Sequence, residues 1–591
     1  MMQMGSVCGV ANWVGLLLPK SACLYGIPCM ANAAMDRLRR LGVLIPVFSL
    51  RRDDDLGIGD TRALRGMVDW AVVNKVGFLQ LLPINETGSD NSPYNAISSV
   101  ALDPLLLDLE AIPEIGLEDI RAVADESGLA SAGEDLVDYD CSSKAKWELL
   151  KKGFEVFWAE RIKDPGFEMF RIEEAEWLVP YCQYRWLMEI AGTEEWERWP
   201  EPYNSPEKAE AYLGGLPKDE VERNLAYYAW VQWHAFTQWR ELRCYAEEHD
   251  VKLMGDIPIG ISYNSADVFF EPQWFDLSLS GGSPPETVFK DDAFACQWGQ
   301  NWGIPIYRWD VLEANDYSWW RRRIEKLTDV FHIFRIDHIL GFYRIYSFPW
   351  RPQRNQEFVG LSEKQAKKIT GGPLPGFFPR SDDTEKNRAA NLADGDKYLR
   401  MVLEAAGVGE VVGEDLGCVP DYVRPNLEKL GIAGFKVCHW EARGDGEAVS
   451  GSEYPECAFA TYATHDHDSI PAMWNVLTGM LGGMEHEGAI RGLKILSDFA
   501  GLPKGDNADS YAAYGPVVKW ALFDRLLKSN ANYAALMITD IIDSTKRINI
   551  PGTVGGENWR YRLPWKLEDM PEVLKEDCSR LGELVRISKR G

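Results

Sequence analysis

The chain has 591 residues, 46% of them hydrophobic, enough for a large core and for more than one ordinary domain. Its 63 basic and 90 acidic side chains leave a formal charge of −27 with no Lys/Arg-rich block, so a phosphate backbone is repelled and nucleic acid is excluded as a partner. Eleven cysteines without CxxC spacing point to a reducing, cytoplasmic compartment rather than a disulfide framework.

Residues 1–40 read as a leader or disordered tail. The apolar stretch VANWVGLLL is followed by Pro19 and Lys20 and is too short to span a membrane, so no membrane partner is expected. No acidic residue precedes Asp36, which suits an organellar transit peptide and makes a plastid the alternative destination. The catalytic unit is expected over 41–591.

Eight apolar runs of strand length follow: LGVLIPVFSL (41–50), GFLQLLPI (77–84), VKLMGDIPI (251–259), VFHIFRIDHI (330–339), EVVGEDL (410–416), IAGFKV (432–437), CAFATYATHD (457–466) and ALMITDII (535–542). Near-continuous hydrophobic runs mark strands buried on both faces. Such strands, separated by stretches that leave room for helices, predict an α/β fold, a (β/α)8 TIM barrel.

Between the second and third runs the connection is far longer than a crossover helix needs. Residues 100–220 are expected to form a largely helical inserted subdomain. Just beyond, Val221, Leu225, Ala229, Trp233, Phe236, Trp239, Leu242 and Ala246 recur at three- and four-residue steps, the stripe of an amphipathic helix. A second insertion, 351–400, contains GGPLPGFFPRSDDTEKN and reads as a long loop near the barrel mouth.

Three of the runs deliver an acid at their carboxyl ends: Asp337, Glu414 and Asp466. Gaps of 77 (414 − 337) and 52 (466 − 414) residues exclude a single helix face as the surface that collects them. A barrel mouth gathers strand ends, and three carboxylates there suit cleavage of a glycosidic bond. One would protonate the leaving oxygen, one attack the anomeric carbon, and a third hold sugar hydroxyls. Singly, a strand-end Asp is more often a cap or an ion-pair partner. His465-Asp466-His467-Asp468 also admits a Zn or Mn reading, hence a metal-dependent barrel hydrolase.

The motifs LGIGD (56–60), LLPINETGSDNSPYNAISSVALDPLLL (81–107), GDIPIGISYNSADVF (255–269), GQNWGIPIYRWD (299–310), RIDHILGF (335–342), GEDLG (413–417), THDHD (464–468) and NIPGTVGGENWRYRL (549–563) occur in order. In these the chain resembles the 4-α-glucanotransferases (amylomaltases, disproportionating enzymes) of the α-amylase clan. The resemblance implies transfer of α-1,4-glucan segments between malto-oligosaccharides or α-glucans, with no metal and no nucleotide cofactor. It implies Asp337 as nucleophile with Arg335 beside it, Glu414 as general acid and base, and Asp466 as the hydroxyl-binding carboxylate. Asp415 is the rival to Glu414, because spacing cannot choose between neighbours.

His338 and His465 would bind the same glucose unit. Tyr94, in NSPYN, would stack on the glucose of the donor subsite and Ser92 of the same motif would bind substrate, with Trp302 an acceptor-side platform and Asp256 a support at the base. His467 stands where many relatives carry an amide. Ile339 and Leu340 resemble the cytosolic plant-type branch, which leaves acceptor preference open. Weighed against transfer are hydrolysis by the same acids and a non-catalytic glucan-binding role.

Overall fold

The computed structural model describes residues 39–591 except 130–134, 161–163, 287–291, 445, 483–485, 506, 508–509 and 554; all but the last two residues of the expected leader lie outside the described residues. The strands in chain order are β1 (Arg40–Leu44), β2 (Phe78–Gln80), β3 (Lys252–Ile257), β4 (Phe275–Ser283), β5 (Gln300–Tyr307), β6 (Ile333–Ile336), β7 (Ile345–Phe348), β8 (Gly376–Phe378), β9 (Glu410–Gly413), β10 (Ala433–Val437), β11 (Ala458–Thr461) and β12 (Tyr533–Met537).

Eight of them close a barrel in the order β1-β12-β11-β10-β9-β6-β3-β2, every neighbouring pair parallel. Each apolar run read from the sequence supplies one of these strands. All the runs but that of β10 overshoot their strands at the carboxyl end, which places Asp337, Glu414 and Asp466 on the segments that leave the barrel.

The barrel interior is packed, not open. Phe78, Met254, Ile333, Val412, Phe435, Phe459 and Ala535 form one buried cluster. On β1 the corresponding space goes to Phe78: a Cβ added at Gly42 would lie 2.1 Å from that ring. With the lumen filled, chemistry is confined to the ends.

Between β2 and β3 the chain forms the helices Leu117–Glu126, Tyr139–Ala159, Pro165–Glu173, Ala175–Ala191, Pro206–Gly214 and Lys218–Glu248. The aromatic stripe lies on the last of these. Its Ala229, Phe236, Trp239, Leu242 and Ala246 are buried, so the stripe is packing rather than a binding face.

The 351–400 segment differs from the loop expected. It contains a helix Glu363–Thr370, strand β8 and the first part of the helix Glu385–Ala406. Ser362 and Gln365 form a reciprocal capping box that starts the first helix, a signal the Gly/Pro-rich composition masks. Aromatics spaced among the charges supply the packing: Trp350 stacks on Phe358 at 3.6 Å, and Phe294, Trp298, Phe348, Phe358 and Ala366 complete a small separate core.

An antiparallel sheet, β5-β4-β7-β8, was not anticipated. β4 breaks register twice and carries Gly281 and Gly282, so it lacks the alternation that announces a strand. Among the described residues no helix is long and apolar enough to cross a membrane.

Gly42→Ala should lower unfolding stability by about 1–3 kcal/mol, because the Phe78 ring has no room to yield within its cluster. A urea denaturation midpoint equal to wild type would show that the lumen is looser than described.

Candidate active site

Residues 333, 335 and 337 share one face of β6 and its extension, so the step from packed lumen to reactive mouth takes place along a single strand. Ile333 lies in the lumen cluster. Arg335, next on that face, is buried, and its Nη1 donates to both Asp256 oxygens at 2.8 and 2.6 Å. Its Nη2 donates to Asp337 at 2.6 Å. Burial alone would weaken the guanidinium charge, but Asp256 and Asp337 more than offset this and hold its pKa far above the ordinary value. Asp256 also accepts the Tyr94 hydroxyl at 2.6 Å. Burial raises the Asp256 carboxyl against the pull of Arg335.

The acid-bearing segments stay in the ladder after the strands end. Asp337 N donates to Ile257 O at 2.9 Å, Glu414 N to Ile336 O at 2.9 Å, and Ile339 N to Glu414 O at 3.0 Å. This fixes Asp337 and Glu414 against each other.

Glu414 and Asp415 point to different environments, and the geometry separates the two candidates. Glu414 lines the cavity and accepts the backbone N–H of His338 at 2.8 Å and of Leu416 at 3.2 Å. Burial pushes its carboxyl up to about 8; Arg335 pulls it down, and Asp337 pushes it back up. Asp415 instead accepts Phe435 N at 2.6 Å and Arg424 Nε at 2.9 Å, and its carboxylate lies close over Gly434, 3.1 Å from where a Cβ would stand. It is a structural acid that fastens β9 to β10.

Asp466 accepts the Asn549 amide at 2.7 Å and lies 3.3 Å from His465 Nε2. Burial raises its carboxyl, but His465, the Asn549 amide, His467 and Arg335 together outweigh that and hold it below the ordinary value. The Tyr94 ring stacks on His465 at 5.1 Å, and Trp559 packs against both. One face of Tyr94, expected to meet sugar, is therefore taken by His465. His467 bonds Thr464 Oγ1 through Nδ1 at 2.8 Å, and burial lowers its imidazole to about 4.

A cavity of about 700 Å³ opens over these groups. It is lined by nine of the ten residues singled out from the sequence: Ser92, Tyr94, Trp302, Arg335, Asp337, His338, Glu414, His465 and Asp466. The tenth, Asp256, reaches the site through Arg335 and Tyr94 rather than through the lining. Ser92 contributes a turn, its carbonyl accepting Asn95 N at 2.9 Å. His338 sits in the left-handed region at φ +45°, and burial lowers its imidazole to about 4. The Trp302 indole is partly exposed and meets His338 edge to face at 5.0 Å.

Sequence reasoning missed Asn549, Trp559 and Trp440. The first two lie in the NIPGTVGGENWRYRL motif, where no single position stood out; Trp440 follows β10 with no neighbouring motif. Among the described residues no group of three or more His, Cys, Asp or Glu side chains is placed to hold a metal ion.

Residues 45–568 match the family model described as 4-alpha-glucanotransferase. The chain belongs to the 4-alpha-glucanotransferase family. It is 29% identical to the 4-alpha-glucanotransferase of Chlamydia caviae, over 91% of this chain and 92% of that one. With the Thermus thermophilus 4-alpha-glucanotransferase it shares 30% identity over 87% and 91%. Among solved structures, the amylomaltase from Streptococcus agalactiae in complex with acarbose superposes with a TM-score of 0.74 at 24% identity, covering 94% of this chain and all of that one. As a 4-alpha-glucanotransferase the chain is a transglycosylating enzyme, and the hydrolase alternative is not favoured.

The Glu414 environment sets a pH dependence for this 4-alpha-glucanotransferase. A carboxyl raised to about 8 is protonated at neutral pH and loses its proton as pH rises through that value. With Glu414 in the acid role that the resemblance implies, kcat/KM for transfer should hold through neutrality and fall about tenfold per unit above that pH. Initial rates across neutral and alkaline pH check this, and a rate that stays flat well beyond 8 contradicts it.

Proposed function

We propose that the enzyme transfers α-1,4-glucan segments between malto-oligosaccharides or α-glucans by two successive displacements, with Asp337 as nucleophile and Glu414 as acid and base. The observation that carries this reading is the pair of unlike carboxyls on adjoining strand ends. Asp337 is held by a buried guanidinium, while Glu414, held only by backbone N–H groups, keeps its proton near neutrality. Two titratable groups pushed apart by their surroundings are what an acid and a nucleophile require.

In the first step an Asp337 oxygen attacks the anomeric carbon, the bond to the glycosidic oxygen breaks, and the Glu414 proton goes to that oxygen. In the second, the Glu414 carboxylate takes the proton of an acceptor hydroxyl, whose oxygen displaces Asp337 from the same carbon. Two inversions return the α-configuration. Asp466, held ionised by the groups around it, and His465 bind hydroxyls of the donor unit, while Asp256 and Tyr94 fix Arg335 beneath Asp337. A cytoplasmic location, which accords with the cysteine spacing, with a plastid as the alternative that the lack of acidic residues before Asp36 suggests, is part of the same proposal.

Maltotriose should yield glucose together with oligosaccharides longer than itself. Products limited to glucose and maltose would move the reading to hydrolysis. Glu414→Gln should lose about 10²–10⁴-fold with maltotriose, the usual worth of a proton-transfer group. With α-glucosyl fluoride, whose leaving group needs little protonation, it should still accumulate a glycosyl adduct on a peptide containing Asp337. Asp337→Asn should form no adduct with either donor. Intact-protein and peptide mass spectrometry reads both outcomes, and an adduct on Asp466 would sink the scheme.

A further inference from the structure

Beside the catalytic cavity lies a smaller annex of about 150 Å³, and Asn95, Trp302 and Ile304 line both spaces. Most of the remaining lining is polar, and its polar side chains come from three separate parts of the chain. Glu197 stands in the helical insertion, Tyr263 and Asn264 follow β3, and Arg351 and Gln353 open the 351–400 insertion.

These groups are held in place by one another. Arg351 Nη2 donates to Glu197 at 2.6 Å, and its guanidinium lies 4.1 Å from the centre of the Tyr263 ring. The Tyr263 hydroxyl donates to Glu197 at 3.1 Å, and Trp196 stacks on Tyr263 at 5.4 Å. The carboxamides of Asn264 and Gln353 line the same space and have no hydrogen-bond partner among the described residues. A carboxylate, a guanidinium and two unpaired amides beside an exposed indole offer donors and acceptors suited to sugar hydroxyls, next to an apolar face suited to a sugar ring.

The position of Trp302 tells which end of the glucan this space would serve. Its indole meets His338, whose backbone N–H is bonded to Glu414. In the proposed mechanism Glu414 reaches the oxygen that joins the donor unit to its neighbour, so His338 stands at that junction, with the donor unit expected on it and the acceptor unit expected on Trp302. Asp466, His465 and Tyr94 form the other group, around the donor unit.

We propose that the annex is an outer acceptor subsite for an α-glucan chain, where Arg351, Glu197, Asn264 and Gln353 bind a sugar unit beyond the one lying against Trp302. The inference rests on the roles proposed for Asp337 and Glu414. The annex distinguishes acceptors by length: a single glucose occupies the place against Trp302 and cannot also reach Arg351, whereas maltotriose extends past it. The two insertions thereby act in acceptor choice, through a bracket that neither forms alone.

The test uses the purified full chain with α-glucosyl fluoride as donor and either glucose or maltotriose as acceptor. In Arg351→Ala the ratio of kcat/KM for maltotriose to that for glucose should fall about tenfold, the worth of one hydrogen bond to a charged group, through a raised KM for maltotriose. Gln353→Ala, a change at an exposed position, should lower the same ratio several-fold and covers the case in which Arg351→Ala does not fold. A purely structural role would change both acceptors alike and leave the ratio fixed. An unchanged ratio in the folded variants overturns the subsite and leaves the proposed mechanism standing. Absence of any transfer product from the wild-type chain with both acceptors overturns the mechanism, and the subsite with it.

Discussion

The site depends on one buried cation. Arg335 carries its charge inside the top of the barrel, where an uncompensated ion costs several kcal/mol, and it is tolerated because Asp256 and Asp337 both face it. Three carboxyls thus surround one guanidinium, and its Nη atoms are taken by two of them. Glu414 receives only backbone N–H groups, so for Glu414 burial outweighs attraction and the carboxyl rises to about 8. The same arrangement that holds Asp337 leaves Glu414 protonated near neutrality, which suits the roles proposed for the two. Two roles follow from the unequal sharing of one charge.

Precision in that sharing comes from the barrel. The lumen is filled by side chains from seven of its strands, with Gly42 on the eighth making room for Phe78, so the strands cannot shift without repacking the whole. Ladder bonds continue past the formal strand ends to Asp337 and Glu414, which places the acids on rigid backbone rather than on loops. Asp415, one residue from Glu414, spends its carboxylate on tying β9 to β10 and thereby orients its neighbour.

The insertions supply what the barrel lacks. A parallel barrel ends in a shallow rim, and a cavity deep enough for a glucan needs walls. The helical region between β2 and β3, the β5-β4-β7-β8 sheet and the 351–400 segment provide residues around the mouth. Their own cores, such as the Trp350–Phe358 stack, hold them independently of the lumen. The catalytic floor and its walls can therefore vary separately, the floor fixed by ladder geometry and the walls by local packing.

The eight barrel strands were legible because strands buried on both faces must be apolar along their whole length, which is a local property of sequence. The acids at their ends were legible for the same reason: a charged residue that closes such a run has one place to go. The helix Lys218–Glu248 announced itself by periodicity. The β4 strand did not, because its glycines and register breaks erase alternation, and 351–400 passed for a loop because its Gly/Pro-rich composition masks the capping box and its aromatics follow no period. Spacing could not choose between Glu414 and Asp415, which are adjacent and chemically alike. Only the fold turned one toward the cavity and the other toward Phe435 and Arg424. Asn549 and Trp559 likewise became part of the site through packing against Asp466, His465 and Tyr94, contacts made more than eighty residues away along the chain. Sequence by itself determined which residue types reach the rim; the tertiary structure decided their charges and their partners, because burial and proximity exist only once the chain has closed.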